Sequence, residues 1–275
     1  MPTTQTFDYD SAAEGSPAAR EIRELVRYRD LVLLLVARLI KNRYKRSVLG
    51  VLWTLLNPLL NMAILAIVFS SIFQSNLSHY PVYLLSALIA WTFFSQTTTY
   101  SAGSFLSGGS LLKRIYLPRT AFTVAAVLNG LVNLAISVVP LVLIMIAVGH
   151  PLHPTWWFVP IAAVLLAIFA LGVALVVSVL ALYFADVVEM YQILAQTWFY
   201  MTPIIFPAEI LPARFQWLIK INPMHYLIDL FRRPIYDGVI PDWTTIVVGA
   251  VCSFVMLAVG WWAFTSKANE FAYRI

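Results

Sequence analysis

Charged side chains are absent from two long stretches of this chain, Ser47–Leu112 and Thr120–Ala185, each 66 residues long. One helical crossing of a bilayer takes about 20 residues, so each stretch predicts two crossings joined by a turn. The turns read as polar, proline-bearing clusters: Gln74–Pro81 (QSNLSHYP) and Gly149–Thr155 (GHPLHPT). Two shorter charge-free runs, Met190–Ala208 and Trp243–Ser266, have 19 and 24 residues and predict one crossing each. The expected fold is therefore an all-α polytopic membrane protein with six transmembrane helices. They fall at about 48–73, 81–106, 120–148, 156–184, 188–206 and 243–266. A transmembrane β-barrel needs alternating polar and apolar positions. Leu141–Val148 and Val159–Leu182 are instead solidly apolar.

The segments between the crossings are amphipathic. In residues 18–30 (AAREIRELVRYRD), Ile22, Leu25 and Val26 share one side and charges fill the rest. Apolar residues continue to Leu39 and Ile40, with Arg38 and Lys41 too close behind for a clean crossing. The pattern fits a helix on the cytosolic membrane surface, or one packed on the cytosolic face of the bundle. Residues 107–119 (SGGSLLKRIYLPR) predict a short amphipathic helix between Gly109 and Pro118, either a docking element or a surface connector. The outer segment Pro207–Asp242 has 36 residues and is unusually apolar. It predicts two re-entrant half-helices, Glu209–Lys220 and Met224–Tyr236, broken by Asn222-Pro223. Asp229 with Arg232 and Arg233, at i+3 and i+4, predicts a helical ion pair there.

Composition agrees with this reading: 61% of the 275 residues are hydrophobic, 11% are charged, and the mean hydropathy is +0.81. Soluble domains carry about 25% charged residues, so a soluble enzyme and a disordered chain are both excluded. The first thirty residues lack the apolar core of a signal peptide and are expected to persist. The 18 Lys and Arg residues are unevenly distributed. Nine lie in residues 1–46, followed by Lys113, Arg114 and Arg119 in the connector and Lys267 and Arg274 in the tail. In a six-span scheme only Arg214, Lys220, Arg232 and Arg233 fall on the opposite side. The positive-inside rule then places both termini in the cytoplasm. The net charge of +5 is thus first a topology signal, and nucleic acid is not an expected partner.

Candidate chemistry is sparse. The single cysteine, Cys252, excludes a disulfide framework and a cysteine zinc site. There is no G-x-x-x-x-G-K-[ST], H-E-x-x-H or G-x-S-x-G, so no catalytic constellation is expected. His150 and His153 share one outer loop, but a metal would need further ligands, and none is assigned. Asp186 and Glu189 bracket a cytosolic turn, as a proton-relay pair or as acids at a helix start. The first span holds Asn57 and Asn61, four apart beside Pro58, either as interhelical glue or as contacts to a wet cavity. Phe69, Phe73, Tyr191, Trp198, Phe199 and Tyr200 either pack between helices or line a path on which sugars stack.

At Tyr44–Pro58 (YKRSVLGVLWTLLNP) the sequence resembles the permease subunit of type-2 ABC exporters for cell-surface polysaccharides, the O-antigen, capsule and teichoic-acid exporters. The resemblance extends through L-x-K-R-x-Y-L-P-R at Leu111–Arg119 and N-P-M-x-Y-x-I-x-x-F-R at Asn222–Arg232. It covers the chain from about residue 20 to the tail. The resemblance implies a bacterial inner-membrane homodimer served by two copies of a separate ATPase, which would hold ATP and Mg, with no cofactor in this chain. The substrate would be a polysaccharide on polyprenyl pyrophosphate or a comparable lipid, moved among membrane lipids. The chain is expected to divide into a flexible cytosolic terminus (1–17), which matches no motif of the family, an interface helix with basic linker (18–46) and a transmembrane domain (47–275).

Residue by residue, it implies ATPase coupling by Arg23, Arg27, Leu111, Leu112, Lys113, Arg114, Ile115 and Tyr116. Lys41, Arg43, Lys45 and Arg46 would meet the lipid phosphate. Asn57, Asn61, Phe69, Phe73, Tyr191 and Trp198 would line the channel. Phe215, Trp217, Tyr226 and Phe231 would form the outer gate. The other readings are a secondary transporter or channel using Asp186 and Glu189, and a membrane-embedded lipid-linked sugar transferase.

Overall fold

A computed structural model describes residues 17–44, 53, 56, 59–65, 68, 79–107, 120–184 and 186–267. Regular structure among the described residues is entirely helical. The labelled helices are α1 (Pro17–Arg27), α2 (Arg29–Tyr44), α3 (Tyr80–Ser107), α4 (Thr120–Val148), α5 (Val159–Tyr183), α6 (Val187–Met201), α7 (Gln216–Ile221), α8 (Pro223–Tyr236) and α9 (Trp243–Ser266). Residues 59–65 are helical as well. Most of the first expected span and the connector at 108–119 lie outside the described residues.

Among the described residues, three stretches are long and apolar enough to cross a membrane: Thr120–Val148, Pro154–Tyr183 and Trp243–Ser266. The second begins as a 3-10 turn, Pro154–Phe158, that runs into α5. Helix α3 covers the range of the expected second span with 28 residues, but Gln96, Thr97, Thr98, Thr99 and Ser101 make its C-terminal half polar. Helix α6 is shorter than the expected 188–206. Its 15 residues rise about 22 Å, and Pro203 and Pro207 in the following segment prevent its continuation.

Helix α5 is the most buried of the three candidate spans and packs along α3 and α9. Its contact with α9 depends on two missing side chains. A Cβ at Gly172 would run into the Met256 carbonyl, and one at Gly260 into the Gly172 carbonyl. The two backbones therefore approach as in small-residue membrane helix pairs. The far side of α9 presents exposed Val251, Phe254, Val255 and Trp262.

The amphipathic N-terminal segment is two helices rather than one, divided at Tyr28. Helix α2 buries Val32, Leu35 and Val36 against Ala121 and Ala125 of α4. The outer segment also departs from expectation. Its second half is the continuous helix α8, as the sequence predicts. Its first half is two 3-10 turns, Ala208–Ile210 and Ala213–Phe215, and the six-residue α7. Pro212 between the turns accounts for the break.

Because backbone, not a flexible side chain, blocks position 172, Gly172→Leu should drive α5 and α9 apart. The expected cost is about 1–3 kcal/mol or more, read as a lower thermal midpoint and reduced yield of the folded protein in detergent. Met256→Leu on the facing helix, which leaves the backbone contact unchanged, should be tolerated.

Candidate functional site

A cavity of about 830 Å³ lies between α3, α4 and α6, with Leu39 and Asn42 of α2 and Trp53 at its margin. Helical spacing builds its walls. Thr92, Gln96 and Tyr100 of α3 repeat every four residues, as do Asn129, Asn133 and Ser137 of α4 and Gln192 and Gln196 of α6. Trp91, Phe93 and Phe199 add aromatic surface. The α3 and α4 walls are close because Gly130 has no side chain; a Cβ there would collide with Thr97 Oγ1. No Asp, Glu, Lys, Arg or His is among the described lining residues. Asn129 Oδ1 is buried and has no hydrogen-bond partner among the described residues.

Around α8 and the segment after α6 the polar groups are tightly paired. Asn222 Oδ1 accepts from Trp198 Nε1 at 2.7 Å and from the Met224 N–H at 3.0 Å, capping α8. Its Nδ2 donates to Thr202 Oγ1 at 2.9 Å. The irregular backbone after α6 is satisfied from two helices. Tyr80 Oη donates to the Ile205 carbonyl at 2.9 Å, Tyr83 Oη to that of Phe206 at 3.1 Å, and Arg232 Nη1 to that of Pro203 at 2.9 Å. Arg232 Nη2 also donates to Asp229 Oδ1 at 2.6 Å, and its guanidinium lies 4.3 Å from the centre of the Tyr83 ring. Both members of this ion pair are buried. Arg233 lies 3.7 Å from Asp229 and bridges to Asp242 at 2.7 Å.

A second outer cluster docks the loop between α4 and α5 onto the end of α8. The His150 ring stacks on Tyr236 at 5.5 Å and meets His79 and His153 edge-on at 5.2 and 5.7 Å. Thr155 Oγ1 donates to the Pro234 carbonyl at 2.7 Å. No group of three His, Cys, Asp or Glu residues suited to a metal ion occurs among the described residues. At the opposite end of the bundle, Glu21 of α1 accepts from the Thr120 N–H at 3.1 Å and from Thr120 Oγ1 at 2.8 Å. The carboxylate thereby caps α4 where the connector ends.

The residues singled out from sequence separate into distinct places. Arg23 and Arg27 are exposed on α1, and Lys41 is exposed near the end of α2. Asn61 is exposed in the helical stretch 59–65. Tyr191 is buried, with its Oη donating to Thr98 Oγ1 at 2.7 Å. Trp198 packs at 5.4 Å from Phe94 and belongs to the Asn222 network. Phe215 and Trp217 are exposed, Tyr226 is half-buried with its Oη donating to the Lys220 carbonyl at 3.0 Å, and Phe231 is fully buried. Leu111, Leu112, Lys113, Arg114, Ile115, Tyr116, Lys45, Arg46, Asn57, Phe69, Phe73 and the Arg43 side chain lie outside the described residues. The amides of the cavity, Gln96, Asn129, Asn133, Gln192 and Gln196, are the group that the sequence reading missed. Their signal was the same i, i+4 amide spacing that drew attention to Asn57 and Asn61.

The family model for ABC-2 type transporters matches residues 30–236. The chain is similar to the O-antigen export system permease protein RfbA of Myxococcus xanthus, at 29% identity, with 93% of this chain and 99% of that protein covered. It is 27% identical to a Klebsiella pneumoniae protein of the same name, over 88% of this chain and 94% of that one. The polysialic acid transport protein KpsM of Escherichia coli is 24% identical, over 82% of this chain and 89% of its own length.

The outer networks can be probed by charge removal and by pH. Arg232→Met leaves Asp229 buried and undercompensated, which should cost about 3–5 kcal/mol. Asp229→Leu added to it should recover much of the lost thermal stability, while Asp229→Leu alone should destabilise. Burial, and then the neighbouring His79 and His153, hold the His150 imidazole below its ordinary value of 6.5, against the Pro151 carbonyl, which favours the proton. The depressed value means that docking of this loop is complete above pH 6.5 and weakens as the pH falls below it. Hydrogen exchange in 149–155, corrected for intrinsic rate, should therefore rise between about pH 7.5 and 5. That rise should be smaller in His150→Gln.

Proposed function

This chain belongs to the ABC-2 type transporter family, and on that basis we propose that it is the membrane-spanning subunit of an ATP-driven polysaccharide exporter. It would carry an O-antigen, capsule or teichoic-acid-like polymer, linked to polyprenyl pyrophosphate or a similar lipid, outward across the inner membrane. Two copies of the chain would form the path, and two copies of a separate ABC ATPase would bind ATP and Mg and supply the energy. Six spans with both termini in the cytoplasm fit the distribution of Lys and Arg.

The observation that carries this reading is a cavity in the membrane domain of amides, hydroxyls and aromatic rings, in a chain similar along most of its length to O-antigen export permeases. Sugar hydroxyls both donate and accept hydrogen bonds, as amides and hydroxyls do. The apolar faces of sugars suit aromatic walls. Exposed Arg23 and Arg27, beside a carboxylate that caps the helix after the connector, support a common docking surface of α1 and Leu111–Tyr116 for the ATPase. Lys41 stands one residue from Asn42 at the cavity margin, and Arg43, Lys45 and Arg46 follow it in sequence. That order supports a phosphate-binding role for the cluster. The α7–α8 segment would close the outer end, with Phe231 as its buried anchor and Tyr226 bracing its turn. Neither alternative gains support: Asp186 and Glu189 are exposed at the start of α6.

The test is purification of the tagged chain from its host membrane. An ABC ATPase should copurify in equal amount, and deletion of the chain should leave lipid-linked polymer inside the cell. Lys113→Glu with Arg114→Glu should lower export and substrate-stimulated ATP hydrolysis while the chain remains inserted. Robust ATP hydrolysis by the purified chain alone would overturn the assignment.

A further inference from the structure

We infer that the cavity between α3, α4 and α6 is a binding site for an uncharged, hydroxyl-rich stretch of sugar, and that Asn129 is a residue selecting it. This rests on the exporter reading above and narrows its substrate class. Two independent observations carry it, one from the walls and one from a single atom.

The described walls hold amides on three helices and no ionisable acid or base apart from the Tyr100 phenol. A polymer with a carboxylate or phosphate in each repeat would bring charge against walls whose described residues hold no cation, which is unfavourable away from the basic cluster at the margin. A neutral sugar brings only groups that amides and hydroxyls satisfy. The aromatic surface of Trp91 and Phe199 offers an apolar wall beside them.

The atom is Asn129 Oδ1, which is buried at the cavity with no partner among the described residues. Unpaired acceptors are expensive in a protein interior, and more so at membrane depth, where water is scarce. Ser137, on the same wall, returns its hydroxyl to the Asn133 carbonyl at 2.9 Å and so is self-satisfied. Asn129 Oδ1 is, among the described lining residues, a buried acceptor left open for an incoming hydroxyl. A residue retained for a ligand at the expense of the resting fold leaves a distinctive signature. Replacing it by an apolar isostere should make the protein more stable and less active. A packing residue would lose both together.

The experiment uses the full chain with its ATPase in a host deleted for the native copy, and the host's own surface polymer is the probe. Asn129→Leu should raise the thermal midpoint of the purified complex and lower polymer export about tenfold, the factor expected for one hydrogen bond of ordinary strength. Asn129→Gln should retain export within about threefold, because it keeps the amide. Compositional analysis of the exported polymer should find a repeat unit free of uronic acid, sialic acid and phosphate. Three results would each overturn the inference: an acidic group in every repeat, wild-type export by Asn129→Leu, or a fall in thermal midpoint that accompanies its loss of export. Absence of a copurifying ATPase from the wild-type chain would instead defeat the exporter reading, so the two failures are distinguishable.

Discussion

Lipid offers no hydrogen bonds, so every polar group at membrane depth must find its partner within the protein. That constraint sorts the polar residues of this chain into three fates. Hydroxyls donate back to their own backbone: Thr98, Thr202, Ser253 and Thr265 each donate to the carbonyl four residues earlier, at 2.8 Å. Irregular backbone is met by side chains from neighbours, as Tyr80, Tyr83 and Arg232 meet the carbonyls of 203–206. The remaining amides are gathered on facing walls, where they enclose a cavity.

The two polar regions therefore have different mechanical characters. The outer network is closed, since Asn222 alone joins α6, the segment after it and the first turn of α8. Its central ion pair, Asp229 with Arg232, is buried, so displacing either side chain leaves the other charge unsatisfied. The cavity is lined, among the described residues, by uncharged groups on three separate helices. Hydrogen bonds from such groups to a hydroxylated polymer can be exchanged one at a time.

Much of this was legible in sequence where the cause is local. The α4 and α9 bounds coincide with the expected spans 120–148 and 243–266, because solid apolar runs end in Gly, Pro or charged residues. Asn222-Pro223 marked the start of α8, and the spacing of Asp229 and Arg232 marked their ion pair. Other features depend on tertiary contact and left weaker traces. Pro203 and Pro207 sit inside a charge-free run that charge counting extends too far. Trp198 reads equally as a channel aromatic or as a packed one until Asn222, 24 residues away, supplies its acceptor. The cavity amides are individually unremarked polar residues in apolar helices, and only the packing of α3, α4 and α6 brings them to a common space.

The placement of α1 has a consequence for biogenesis. Glu21 is tied to Thr120, 99 residues later, and the Ala18 carbonyl accepts from Trp261 Nε1 at 3.4 Å, 243 residues later. Helix α1 thus has no complete seat until α9 has been synthesised. An unfinished or misinserted chain presents α1 unseated, and a chain with all its spans in place presents it fixed. Seating of α1 thereby reports that α4 and α9 have reached their places, so that assembly of the bundle sets the moment at which this face of the molecule takes its final form.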